Sequence, residues 1–65
     1  MKVKTWQARV EKNITLKQLE QMSKISKTTL NDIENEKISP TLYQLEAIAK
    51  ALDVKITDLF DSEYK

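Results

Sequence analysis

The sequence of 65 residues predicts a single all-α domain of five helices spanning residues 1–65. Apolar residues recur at intervals of three and four along most of the chain, and no segment alternates convincingly as a β-strand. The pattern Thr-x-x-Gln, which is typical of a capping box at a helix start, occurs at Thr15 and again at Thr41. The predicted helices cover residues 3–12, 16–23, 27–35, 42–52 and 56–61, and residues 62–65 form a polar tail.

The first two helices are predicted from their apolar faces. Val3, Trp6 and Val10 recur at i, i+3 and i+7, which places them on one side of the first helix. Asn13 ends this helix, because asparagine tolerates the left-handed conformation found at helix ends. The predicted buried face of the second helix comprises Leu16, Leu19, Met22 and Ser23.

Polar residues mark the starts of the third and fourth helices. Ser26 is a capping residue for the third helix, and Pro40 excludes Ser39 from helical geometry before Thr41 begins the fourth. The predicted buried stripe of the fourth helix comprises Leu42, Leu45, Ile48, Ala49 and Leu52. The apolar residues that predict the fifth helix are Val54, Ile56, Leu59 and Phe60. Phe60 is expected to lie in the core.

The composition excludes several classes of protein. The chain has no Cys and no His, which rules out disulfides, the usual zinc ligand sets and nucleophile–histidine pairs. Asp58, Asp61 and Glu63 are acidic, but a terminal acidic run is more typical of solvated surface than of a metal site. No apolar run reaches the roughly 18 residues of a membrane span, and no signal-peptide core follows residues 1–4. We expect a cytoplasmic protein that is not an enzyme and has no cofactor, metal or small-molecule ligand.

Charge is distributed unevenly along the chain. Residues 1–27 carry seven cations and two anions, a net charge of +5, whereas residues 28–65 carry four cations and eight anions, a net charge of −4. Such asymmetry is typical of a surface that binds a polyanion, and it is equally typical of ordinary solvated helix faces. Charge alone therefore leaves both interpretations open.

The third helix has an unusual polar face. At about 100° per residue, Leu30 and Ile33 share one side of the helix with Thr29 and Glu34. The opposite side consists of Lys27, Thr28, Asn31, Asp32 and Asn35. Thr and Asn are poor helix formers, so solvation alone does not explain their use here. Asn pairs with adenine, Lys reaches guanine or phosphate, and the Thr methyl packs on thymine, so this face suits the DNA major groove.

The spacing of the second and third helices is that of a helix-turn-helix, because a three-residue connection joins two short helices. Residues 14–60, ITLKQLEQMSKISKTTLNDIENEKISPTLYQLEAIAKALDVKITDLF, resemble without a gap the DNA-binding domain of the Cro and phage-repressor helix-turn-helix family. The resemblance implies a compact, lambda-repressor-like bundle that reads DNA with its third helix. It also implies a homodimer on a palindromic operator.

The resemblance assigns site residues by position. It implies base reading by Lys27, Thr28, Asn31 and Asp32. It implies contacts to the DNA backbone from Thr15, Leu16, Lys17, Ser26, Asn35 and Lys37. It also implies a structural ion pair between Glu34 and Arg9, the only arginine in the chain. Leu59, Phe60 and Tyr64 are candidate dimer contacts.

Departures from the family pattern concern the turn and the reading face. The chain has no glycine, although the family commonly has glycine at the positions of Asn13, Lys24, Glu36 and Asp53, where positive φ can be required. Asp32 would repel phosphates. Three interpretations are open: it accepts a hydrogen bond from cytosine, it excludes other bases, or it is merely tolerated at the margin of the groove.

Two further departures lie in the second helix. Leu16 replaces a frequent Gln, and Glu20 stands where the family prefers a small residue.

The sequence leaves two functions open. The first is a small sequence-specific DNA-binding transcription regulator, expected to be a repressor. The second is a helix-turn-helix module that binds a protein, such as an antitoxin-like partner.

Overall fold

Four α-helices form most of the protein in the computed structural model, which describes residues 1–65. They are α1 (Thr5–Glu11), α2 (Leu16–Ser23), α3 (Lys27–Glu34) and α4 (Leu42–Leu52). A 3₁₀ helix, Ile56–Leu59, follows α4. Strand β1 (Lys2–Val3) pairs antiparallel with β2 (Phe60–Asp61). None of the helices has the length and apolar character needed to span a membrane.

The predicted five-helix, all-α fold is wrong at both ends of the chain. Residues 56–61 form a 3₁₀ helix and a strand instead of a fifth α-helix, and the first helix begins at Thr5 instead of residue 3. Val3 lies opposite Phe60 in the two-stranded sheet, and the Lys4 N–H donates to the Leu59 carbonyl oxygen at 2.7 Å. Because this pairing joins opposite ends of the chain, local periodicity does not reveal it.

The hydrophobic core lies between α2, α3, α4 and the 3₁₀ helix. Its buried side chains are Leu19, Leu30, Ile33, Leu45, Ile48, Ala49, Leu52 and Leu59. Leu59 was a candidate dimer contact, and this prediction is wrong because the side chain is 0% exposed in the monomer. Phe60 is partly buried against the core, whereas Tyr64 is almost fully exposed.

Several predicted buried positions instead lie at the surface. Trp6 is 51% exposed and Val10 is also exposed, while Thr5 is buried on the inner side of α1. The inward face of α1 is therefore turned away from the predicted stripe, whose first member, Val3, belongs to β1. Met22 and Leu42 are exposed as well, and Leu42 is the first residue of α4, where the buried stripe has not yet begun.

Candidate nucleic-acid interface

Two capped helices and a short connection form the centre of the candidate site. The Gln18 N–H donates to Thr15 Oγ1 at 3.1 Å, and the Thr15 N–H donates to Gln18 Oε1 at 2.8 Å, so the predicted capping box at the start of α2 is confirmed. The Thr29 N–H donates to Ser26 Oγ at 3.2 Å, which confirms the predicted cap of α3. Residues 24–26 connect the two helices, as a helix-turn-helix requires.

The connection turns without a glycine. Lys24 adopts the left-handed conformation with φ 65° and ψ 17°. The four non-glycine residues with positive φ are Asn13, Lys24, Glu36 and Asp53, the four positions at which the family resemblance implies this requirement. A left-handed non-glycine residue is sterically unfavourable, so the turn stores backbone strain at Lys24.

Two side chains of α2 stabilise the strained turn. The Ile25 N–H donates to Ser23 Oγ at 3.2 Å, and the Lys27 N–H donates to Glu20 Oε2 at 2.9 Å. The carboxylate of Glu20 thereby satisfies one of the backbone donors that a helix start leaves unpaired. The sequence did not predict this role, because the contact depends on the angle at which α2 and α3 cross.

The outer face of α3 is polar and accessible. Leu30 and Ile33 are buried in the core, whereas Lys27, Thr28 and Asn31 are exposed on the opposite side of the helix. The Lys27 and Thr28 side chains form no hydrogen bond or ion pair within the protein, so they are free to contact a ligand. Four of the predicted base-reading and backbone residues thus share one exposed arc: Lys27, Thr28, Asn31 and Asn35.

Asp32 lies at the margin of this arc, and Asn35 lies at its C-terminal end. Asp32 is only half exposed, and the Lys37 N–H donates to its carbonyl oxygen at 2.9 Å. Asn35 follows the last residue of α3, and its Nδ2 donates both to the Asn31 carbonyl oxygen at 3.0 Å and to Asn31 Oδ1 at 3.2 Å. The amide of Asn31 is therefore held by its neighbour one turn away.

The remaining predicted backbone-contact residues lie outside α3. Thr15, Lys17, Ser26 and Lys37 are exposed, at the start of α2, in the connection and in the loop after α3. Leu16 differs from them, because its side chain is partly buried against the core. Since Leu16 is the first residue of α2, its backbone N–H is the group that could contact DNA.

Arg9 and Glu34 form a two-point ion pair between α1 and α3. Arg9 Nε donates to Glu34 Oε2 at 2.6 Å, and Arg9 Nη2 donates to Glu34 Oε1 at 3.1 Å. Arg9 Nη1 also donates to the Ile14 carbonyl oxygen at 2.8 Å. The two side chains are 12% and 5% exposed. This pair fixes the inner side of α3 to α1 and to the loop before α2, so the outer side is held in one orientation.

The fold and this arrangement define a helix-turn-helix protein, and comparison with known proteins agrees. The family model described as "Helix-turn-helix" matches residues 7–59, so the chain belongs to the helix-turn-helix family of the Cro and phage-repressor type.

Two known proteins illustrate the relationship. The chain is 34% identical over 55 residues to the immunity repressor protein of Bacillus phage phi105, an alignment that covers 85% of this chain and 38% of that relative. Its structure is similar to that of the N-terminal DNA binding domain of SinR from Bacillus subtilis, with a TM-score of 0.80 and 29% identity. This second match covers 94% of our chain and 90% of the SinR domain.

Proposed function

We propose that the protein is a transcription regulator, acting as a repressor, that binds a specific double-stranded DNA sequence with α3 in the major groove. The observation that carries this proposal is the outer face of α3. Lys27, Thr28 and Asn31 are exposed there, while Leu30 and Ile33 hold the other side of the same helix in the core. Membership of the helix-turn-helix family supports the same function.

The side chains of this face suit base reading. The ammonium group of Lys27 can donate to guanine, the methyl group of Thr28 can pack on thymine, and the amide of Asn31 can pair with adenine. Asp32, at the half-buried margin, offers an acceptor for the amino group of cytosine. Phosphates would meet the exposed polar residues Thr15, Lys17, Ser26 and Lys37 and the backbone N–H groups at the start of α2.

Binding as a homodimer to a palindromic operator completes the proposal. Half-sites on such an operator lie about 34–36 Å apart, one turn of DNA. The longest dimension of the protein is 31 Å, so two copies fit side by side on successive turns. Tyr64, which is exposed, and Phe60, which is partly buried, are the proposed dimer contacts near the C-terminal end.

A salt titration tests the DNA-binding function. Fluorescence anisotropy measures binding to labelled duplexes of mixed sequence. The logarithm of the binding constant should fall linearly with the logarithm of the salt concentration, with a slope of about 0.9 per phosphate contact. Lys17→Ala and Lys37→Ala should each reduce that slope by about one. Lys55→Ala is the matched control, because it removes the same charge from an exposed residue before the 3₁₀ helix. Equal effects of all three substitutions would contradict the proposed interface.

A protein-binding module, such as an antitoxin-like partner, is the second candidate function. Leu42 and Tyr43 favour it, because these apolar and aromatic side chains at the start of α4 are 74% and 84% exposed. The same titration separates the two functions. Absence of DNA binding even at low salt would favour this second function, whereas salt-dependent binding would favour the first.

A further inference from the structure

We propose that Asn35 is a positioning residue for base recognition, acting by holding the amide of Asn31 in the orientation that reads adenine. This inference rests on the proposed DNA-binding function and replaces the DNA-backbone contact that the family resemblance implies for Asn35. It follows from the two hydrogen bonds between these residues on the exposed side of α3.

The contact holds Asn31 at two points. Asn35 lies four residues after Asn31, so the two side chains are neighbours on one helix face. Asn35 Nδ2 is 3.0 Å from the carbonyl oxygen of Asn31 and 3.2 Å from its Oδ1. A single amide group thus bridges the main chain and the side chain of Asn31. This bridge restricts the side-chain torsions of Asn31 while leaving the residue exposed.

The bridge leaves Asn31 able to pair with a base. A carbonyl oxygen has two lone pairs, so Asn31 Oδ1 keeps one acceptor position after accepting from Asn35. The Nδ2 of Asn31 has no hydrogen-bond partner within the protein, so its donors are free. Adenine presents a donor at N6 beside an acceptor at N7 in the major groove. The Asn31 amide presents Oδ1 to the N6 donor and Nδ2 to the N7 acceptor. Because the amide is already ordered in the free protein, binding costs less side-chain entropy.

The same bonds disfavour a phosphate contact by Asn35. Its Nδ2 already lies within hydrogen-bond distance of two acceptors on Asn31, so a phosphate would have to compete with both of them. The remaining polar atom of the side chain, Oδ1, is an acceptor, and an acceptor gains nothing from a phosphate oxygen. Lys37, which is exposed in the following loop, is better suited to the phosphate at that end of α3.

Base preference in a double-mutant cycle tests this role. Duplexes that the wild-type chain enriches from a random-sequence pool serve as probes, and Asn31→Ala identifies the adenine whose preference depends on Asn31. Asn35→Ala should reduce discrimination at that base pair by about three- to tenfold, the range for ordering one polar side chain. In the Asn31→Ala background, Asn35→Ala should change nothing further, because its effect passes through Asn31. The salt slope should be that of the wild type, whereas Lys37→Ala should weaken binding to all sequences alike.

Three results would overturn the inference. A uniform loss of affinity with a reduced salt slope in Asn35→Ala would identify a backbone contact. A persistent effect of Asn35→Ala in the Asn31→Ala background would show that Asn35 acts independently. In the free wild-type protein, a side-chain amide order parameter for Asn31 below about 0.6 would show that the amide is not held.

The amide measurement separates this inference from the function on which it rests. It needs neither a substitution nor DNA, so it reports on the Asn31–Asn35 contact alone. A pool from which the wild type enriches no sequence would overturn the proposed function, and with it this role of Asn35. Enrichment combined with a mobile Asn31 amide would overturn only the role of Asn35.

Discussion

Removal of Glu34 should severely destabilise the protein, because it leaves Arg9 without its partner in a largely buried position. The Arg9 side chain is 12% exposed and donates twice to Glu34, at 2.6 and 3.1 Å. Breaking a buried ion pair from one side typically costs about 3–5 kcal/mol. A domain of 65 residues has a total unfolding free energy of about 3–10 kcal/mol at the usual 0.05–0.15 kcal/mol per residue. Glu34→Ala should therefore remove a large part of the stability.

Urea unfolding followed by circular dichroism measures this effect. With an m value of roughly 1 kcal/mol/M, a loss of about 3 kcal/mol lowers the midpoint by about 3 M or leaves the chain unfolded without urea. Asp61→Ala is the control, because Asp61 forms two exposed pairs, with Lys4 at 3.9 Å and Lys65 at 3.6 Å. Exposed pairs contribute about 0–1 kcal/mol, so this control should change little. A Glu34→Ala variant as stable as the control would refute the structural role of the Arg9–Glu34 pair.

Three further substitutions should change the melting temperature. Lys24→Gly should raise it, by about 4–8 °C for each kcal/mol of left-handed strain relieved, and a decrease would show that the turn is unstrained. Thr5→Val should raise it too, because the Thr5 hydroxyl is buried without a partner, at a cost of about 1–3 kcal/mol; a lower melting temperature would indicate a hidden partner. Glu20→Ala should lower it by the loss of about 1 kcal/mol from the bond to the Lys27 N–H, and an unchanged value would show that this bond contributes nothing.

Features that depend on a few neighbouring residues were predictable from the sequence. Both capping boxes and the Ser26 cap have the predicted donors and acceptors, because their bonds close within three residues. The polar and buried sides of α3 also separate as the helical period requires. These features need no knowledge of which elements meet in the fold.

Features that depend on pairing between distant segments were not predictable in the same way. The spacing of Val3, Trp6 and Val10 suggested one helix face, but Val3 pairs with Phe60 at the other end of the chain. The Arg9–Glu34 pair was expected only through resemblance to a family, since the two residues lie in separate helices. The Asn31–Asn35 contact was not predicted either, although its i, i+4 spacing is a local signal that the sequence contains.

The turn between α2 and α3 explains how a chain without glycine positions its candidate reading helix. Lys24 is left-handed, and such strain persists only where the surrounding structure fixes the backbone. Here Ser23 accepts from the Ile25 N–H and Glu20 accepts from the Lys27 N–H, so the backbone that follows Lys24 is held by side chains of α2. Glu20 therefore occupies a position where the family prefers a small residue and bonds directly to the first residue of α3. Glu20→Ala should therefore lower the stability of the Lys24→Gly variant less than it lowers that of the wild type. The reason is that a turn without strain depends less on the bond that holds it.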